Sequence, residues 1–257
     1  MDYFIVCLVA LLGSALTLFS GFGLGTLLLP VFGLFFPIEI AIIMTSIVHF
    51  SNNSIKLLIF GKKIDTNVAL KFGIPALFSA FLGAYLLKLL TNMQPLFDYS
   101  IFGKTVEIMP IKLIVGILLV LFSVFDFIPK FKNIGFDQKY LSLGGVLSGF
   151  FGGISGHQGA LRTAFLIRTH LSKEAFIATG VFIACLVDIS RLSIYIPEII
   201  KNDTTLNYKL IVSATISAFF GVYFGNKILQ KTTITIVQNI VAVLLFLFGG
   251  LLILGLV

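Results

Sequence analysis

Six stretches of this chain, at about residues 38–60, 67–90, 110–129, 174–196, 208–228 and 234–257, are apolar over roughly the 20 residues that a helix needs to cross a hydrocarbon core of about 30 Å. Hydrocarbon offers no hydrogen-bond partners, so a backbone at that depth must satisfy itself, and continuous runs of this length predict helices. Composition agrees: 58% of the 257 residues are hydrophobic and 11% are charged, against about 25% charged in soluble domains. Mean hydropathy is +1.09. The expected fold class is an all-α polytopic membrane protein with little room for a soluble domain. The net charge of +7 fits Lys and Arg gathered in cytoplasmic loops; no basic face or binding motif accompanies it, so nucleic acid is not an expected partner. Cys7 and Cys185 lie in apolar segments and suggest neither a disulfide framework nor a metal site. No basic n-region precedes the apolar residues 3–20, so no cleaved signal peptide is expected.

Two stretches break the apolar pattern. Gly152 to Ala164 reads GGISGHQGALRTA, and Ser20 to Pro30 reads SGFGLGTLLLP. A helix interrupted at membrane depth must line a cavity or bury the break in protein. The piece after the first break, from about Thr26 to Phe36, ends at Pro37; at roughly 17 Å it is too short to cross alone. The second half repeats the order: an apolar run at 140–151, the break, a short piece to Ile167, a span ending at Pro197, and two more spans. Residues 79–86 (SAFLGAYL) match residues 217–224 (SAFFGVYF), and at another offset Gly25, Ala41 and Thr45 match Gly159, Ala175 and Thr179. The chain therefore divides into repeats at 1–132 and 133–257, each a glycine-broken helical hairpin followed by three transmembrane helices. The mixed segment 91–109 is expected as the longest loop.

Charge gives the orientation. With each broken stretch entering and leaving on one side, Lys62, Lys63, Lys130, Lys132, Lys139, Arg168, Lys173, Lys227 and Lys231 share a side, which is cytoplasmic. Glu39, Asp98, Lys104, Glu107, Glu198, Lys201 and Asp203 share the other. Five segments per half is an odd number, so the repeats are inverted, with both termini facing out.

Inverted hairpins bring their glycine-rich tips together near the midplane. The short helices begin near Thr26 and near Ala160, with unpartnered N–H groups and a positive dipole end, a pairing suited to an anion. Gly23, Gly25 and Thr26 in the first break, and Gly156, His157, Gln158 and Gly159 in the second, are candidate contacts. Arg162 adds a guanidinium that fits a multi-oxygen anion. Each has a plainer reading: the glycines as packing contacts, His157 as a satisfied core histidine, Arg162 snorkelling to headgroups. A second polar group follows. His49, Asn52, Asn53 and Lys56 recur at helical spacing, and Asp188 and Arg191 stand three apart. Asp188 and Arg191 either pair to hold the fold, or Arg191 joins Asn52 and Asn53 around the anion while Asp188 or His49 relays protons. Lys56 and Arg191 lie near helix ends, so snorkelling is open to both.

The two breaks, the Ala–Thr pairs after them and the doubled Ser-Ala-Phe-x-Gly-x-Tyr helix resemble the sulfite exporter TauE/SafE family over nearly the whole chain. The resemblance implies a multi-pass plasma-membrane transporter of bacterial or archaeal type, carrying sulfite, sulfonates or related anions, with anion contact near Gly23, Gly25, Gly156 and Gly159. The second break departs from the family's usual run of glycines leading to a proline: Ala164 stands where the first half has Pro30. The expected function is a secondary transporter, an exporter of a small sulfur-containing anion held between the breaks. Protons or sodium are the candidate coupling ions; no cofactor is expected, and the sequence indicates no oligomeric state. No phosphate loop for ATP is present. The alternatives are a passive anion channel, or an intramembrane enzyme with His157 or His49 as base, though no serine–histidine pairing or H-E-x-x-H motif supports the latter.

Overall fold

The computed structural model describes residues 2–17, 23–101, 103–128, 135–201, 206–228 and 234–257. Ser20 and Gly21 of the first break, the division at 132/133, and the loop residues Lys130, Lys132, Asp203 and Lys231 lie outside them. The described helices are α1 (Asp2–Thr17), α2 (Gly25–Gly33), α3 (Ile38–Phe60), α4 (Thr66–Thr91), α5 (Pro110–Phe127), α6 (Leu141–Ser155), α7 (Gly159–Leu166), α8 (Lys173–Lys201), α9 (Tyr208–Ile228) and α10 (Ile234–Ile253). Four apolar stretches, Ile38–Lys63, Thr66–Thr91, Lys173–Lys201 and Tyr208–Gly225, are long enough to cross a membrane; Tyr3–Thr17, Pro110–Phe125 and Asn239–Ile253 are shorter apolar helices. The chain is an all-α, membrane-embedded protein.

Two boundaries differ from the sequence reading. Pro197 does not end α8, which continues to Lys201. A proline removes one backbone bond and kinks a helix without obliging it to stop when neighbours hold the far end; here Glu198 is held by Lys88 of α4, Oε1 to Nζ 2.6 Å. The expected loop at 91–109 contains an antiparallel hairpin, β1 (Phe97–Ile101) and β2 (Lys104–Ile108), with Phe97 opposite Ile108 and Ile101 opposite Lys104. Gly103, at φ +74, turns it, and the Tyr99 hydroxyl donates to the Leu254 carbonyl at 2.6 Å, tying the hairpin to the end of α10.

Helix packing exchanges partners between the halves. The broadest contacts are α4 on α6, α1 on α9 and α5 on α10, followed by α8 on α4 and on α3. Small residues set the close approaches. Gly145, Gly149 and Gly153 of α6 lie against the backbone of Phe72, Ala76 and Ala80, so α6 and α4 run parallel. Gly221 and Gly225 of α9 lie against Leu11 and Ala15 in the same sense. Gly116 and Gly249 each face the other's carbonyl, while Gly116 also meets Ile253 and Gly249 meets Val120, so α5 and α10 run antiparallel. Along α4 and α8, Asp65 meets Thr179, Leu77 meets Ser190 and Lys88 meets Glu198, a parallel pair. Since α3 returns into α4 through a short turn, α3 and α8 cross in opposite directions, and the polar residues of both face one another along that seam.

Candidate functional site

Helix α6 ends where Gly156 adopts φ +75, and its N–H bonds the Gly152 carbonyl at 2.9 Å. This left-handed cap suits glycine. It also makes room: a Cβ on Gly156 would sit 3.1 Å from both Nη atoms of Arg191. The first break uses the same device on the other half. A Cβ on Gly23 would fall 2.6 Å from Nε2 of His49, and Gly25 rests against the His49 ring and Thr45. Each break thus has a glycine seated on a polar side chain of the third helix in its own half.

Those two side chains meet through Asp188. His49 Nδ1 donates to Asp188 Oδ2 at 2.6 Å, which places the ring proton on Nδ1. Arg191 Nη1 donates to Asp188 Oδ1 at 3.4 Å. All three are buried, Asp188 at 0% and Arg191 at 2% exposure. The Asp188–Arg191 pair anticipated from the sequence is therefore present, and its shorter link runs to His49 across the α3–α8 seam. Asn53 Nδ2 lies 3.2 and 3.3 Å from the two His49 ring nitrogens. Arg191 also stacks over Tyr195, 5.9 Å from the ring centroid, and the Tyr195 hydroxyl donates to the Gly153 carbonyl at 3.0 Å.

On one side of this bridge is a cavity of about 30 Å³, lined by Thr17, Gly23, His49, Asn53, Lys56, Arg162, Thr163 and Gly180, with apolar residues of α7 and α8. That is room for one or two waters. Lys56 and Arg162 are 3% and 7% exposed. Neither snorkels to the headgroups; both turn inward to the same small space, and among the described residues no carboxylate lines it. Arg162 passes along Gly180, whose added Cβ would meet Nε at 3.4 Å. On the far side of the bridge a second cavity, about 100 Å³, is lined by Glu39, Ile43, Leu87, Lys88, Tyr195 and Glu198 among others. Along α8, Ala184 lines the first cavity and Tyr195 the second, with Asp188 and Arg191 between.

The structure sorts the sequence candidates. Gly23, His49, Asn53 and Arg162 line the cavity. Asp188 and Arg191 form the wall behind it, with Gly156 against Arg191. Thr26 turns away: its hydroxyl and its N–H both bond the Gly23 carbonyl, at 2.7 and 3.2 Å. Asn52 accepts from Ser14 of α1 at 2.8 Å, which ties α3 to the first hairpin. His157 stacks on Phe122 of α5, centroids 5.9 Å apart, and Gln158 packs beside Gly152; neither these two nor Gly159 line the cavity. Lys56, Thr163 and Gly180 are cavity residues absent from the sequence candidates. Lys56 carried a usable signal, since it lies seven residues after His49 and so on the same helix face. Among the described residues, no group of three or more His, Cys, Asp or Glu could hold a metal ion.

The sulfite exporter TauE/SafE family model matches residues 6–252. No curated protein matches the chain, and no solved structure does.

Proposed function

The chain belongs to the sulfite exporter TauE/SafE family, a family of membrane transporters, and on that premise we propose that it is a secondary transporter exporting a small sulfur-containing anion held in the Lys56–Arg162 cavity. The observation that carries this reading is the lining itself. Two buried basic side chains, an asparagine amide and a backbone glycine face one space, with no carboxylate among the described residues that line it. Charged groups at membrane depth are costly unless paired or used, and an oxyanion between a guanidinium and an ammonium answers both charges.

Inverted repeats, divided at 132/133, fit the packing. Equivalent helices α5 and α10 run antiparallel, as do α3 and α8, while the first helix of each half lies parallel to the fourth of the other. We place the Lys62–Lys63 turn, Arg168 and Lys173 in the cytoplasm of a prokaryotic cell and the 97–108 hairpin outside the plasma membrane. The Lys56–Arg162 cavity then lies on the cytoplasmic side of the His49–Asp188–Arg191 wall. A wall closed at one end favours alternating access over an open channel. His49 and Asp188, joined directly, are the candidates for proton coupling.

The test is anion flux in vesicles. Arg162→Ala should abolish transport while the protein remains at normal level in the membrane; undiminished flux removes Arg162 from the site.

A further inference from the structure

Breaking α6 at Gly156 leaves its last carbonyls without helical partners. The Gly156 N–H takes the Gly152 carbonyl at 2.9 Å. A continuing helix would send the His157 N–H to Gly153, but it donates instead to the Ser155 hydroxyl at 3.2 Å. The Gly153 carbonyl accepts from the Tyr195 hydroxyl at 3.0 Å. A side chain of α8 thus completes the end of the broken helix, where an unpaired buried carbonyl would be costly. The same ring makes two further contacts. Arg191, one turn earlier on α8, lies over it at 5.9 Å from the centroid. The ring also lines the outer cavity of about 100 Å³, and Arg191 does not. Tyr195 is 5% exposed, so a single buried aromatic ring stands between the charged wall and that cavity. The other end of the cavity is polar and reaches the surface. Lys88 and Glu198, which line it and join α4 to α8 at 2.6 Å, are both partly exposed, and Asn92 beside them is exposed. Between Tyr195 and Glu198, Pro197 has no N–H for the Ser193 carbonyl, which makes this a point where α8 can bend.

Resting on the transport reading above, we infer that this cavity is the outer vestibule of the anion's path and that Tyr195 is its gate. With its hydroxyl on Gly153, the ring seals the Asp188–Arg191 wall from the vestibule. When that bond opens, the end of α8 bends at Pro197, the Lys88–Glu198 pair separates, and Arg191 faces the vestibule. The latch sits on the second break, and the chain runs from Gly153 through Gly156 into α7, which carries Arg162 to the inner cavity. A shift of the broken stretch at the cargo site therefore acts directly on the gate. Tyr195 works through Gly153 and Arg191 and is a positioning residue.

The experiment uses the full-length chain with Cys7→Ala and Cys185→Ala, reconstituted in liposomes, with one reporter cysteine at a time. Leu87→Cys lies in the vestibule at a position 3% exposed, Phe176→Cys lines the inner cavity, and Leu96→Cys, at an exposed position, marks the outer face. Tyr195→Phe keeps the ring and removes the latch. An impermeant thiol reagent, applied at the face from which Leu96→Cys reacts, should then modify Leu87→Cys about fivefold faster, the equilibrium shift that corresponds to the net contribution of one hydrogen bond. Labelling of Phe176→Cys from the opposite face should not rise, because a population moved toward the outward-open state leaves the inward-open one. An unchanged Leu87→Cys rate overturns the gate, and so does a rise at both reporters, which marks general loosening. Complete modification of Leu87→Cys should also abolish sulfite flux; undiminished flux removes the cavity from the path. If the unmodified chain carries neither sulfite nor methanesulfonate, the transport reading fails and the path assignment with it, whereas a silent Tyr195→Phe in a chain that carries sulfite strikes the gate alone.

Discussion

Asp188→Asn removes the one buried carboxylate among the described residues while keeping its shape. Asp188 is fully enclosed and Arg191 is 2% exposed, so solvent screening gives little relief. At the Arg191–Asp188 separation of 3.4 Å, two unit charges at an effective dielectric of about 20 attract by about 5 kcal/mol. Unpairing a buried charge by removing its partner costs about 3–5 kcal/mol. The His49 bond at 2.6 Å loses its charged acceptor as well, so the loss belongs at the upper part of that range. At about 2–4 °C per kcal/mol for a chain of this size, the melting temperature in detergent should fall by about 8–20 °C. The double variant Asp188→Asn, Arg191→Gln should recover much of the loss, because removing both partners leaves no orphaned charge. The measurement is thermal unfolding of the four proteins of this cycle. A single variant that melts with the wild type, or a double variant no better than Asp188→Asn, would falsify the bridge as the element joining the two breaks.

Gly156→Ala should cost about 1–2 kcal/mol for its left-handed backbone and should reduce transport by displacing the Arg191 guanidinium; Gly250→Ala, where an added Cβ meets nothing within 4 Å, serves as the neutral control, and equal melting temperatures for the two would remove the role given to Gly156. Single cysteines at the exposed positions Lys62 and Leu96 should react with an impermeant reagent from opposite faces, Lys62→Cys only from the cytoplasm and Leu96→Cys only from outside. Labelling of both from one face contradicts the proposed orientation.

Much of the helical plan is legible in the residues. Ile38–Phe60 and Thr66–Thr91 can be read because a bilayer admits few alternatives to a continuous apolar helix. The breaks can be read because glycines and polar side chains are expensive at that depth. The hairpin at 97–108 was less visible, although FDYSI and KTVEI flank a Phe-Gly pair; short alternation is a weak signal beside spans of twenty residues. Pro197 misled because a local rule about proline says nothing of Lys88, which holds the residue after it.

Cost is legible in the residues alone: His49, Lys56, Arg162, Asp188 and Arg191 each had to find a partner or a purpose inside an apolar chain. Which of them meet depends on how the helices pack. His49 and Asp188 are 139 positions apart and touch because α3 and α8 cross in opposite directions. Lys56, with snorkelling open to it near a helix end, instead faces Arg162 across a cavity. His157 and Gln158, conspicuous in the sequence, turn toward Phe122 and Gly152. Helical periodicity assigns each side chain to a face of its own helix; which neighbour occupies that face depends on how the small residues of α4, α6 and α9 let the helices close on one another.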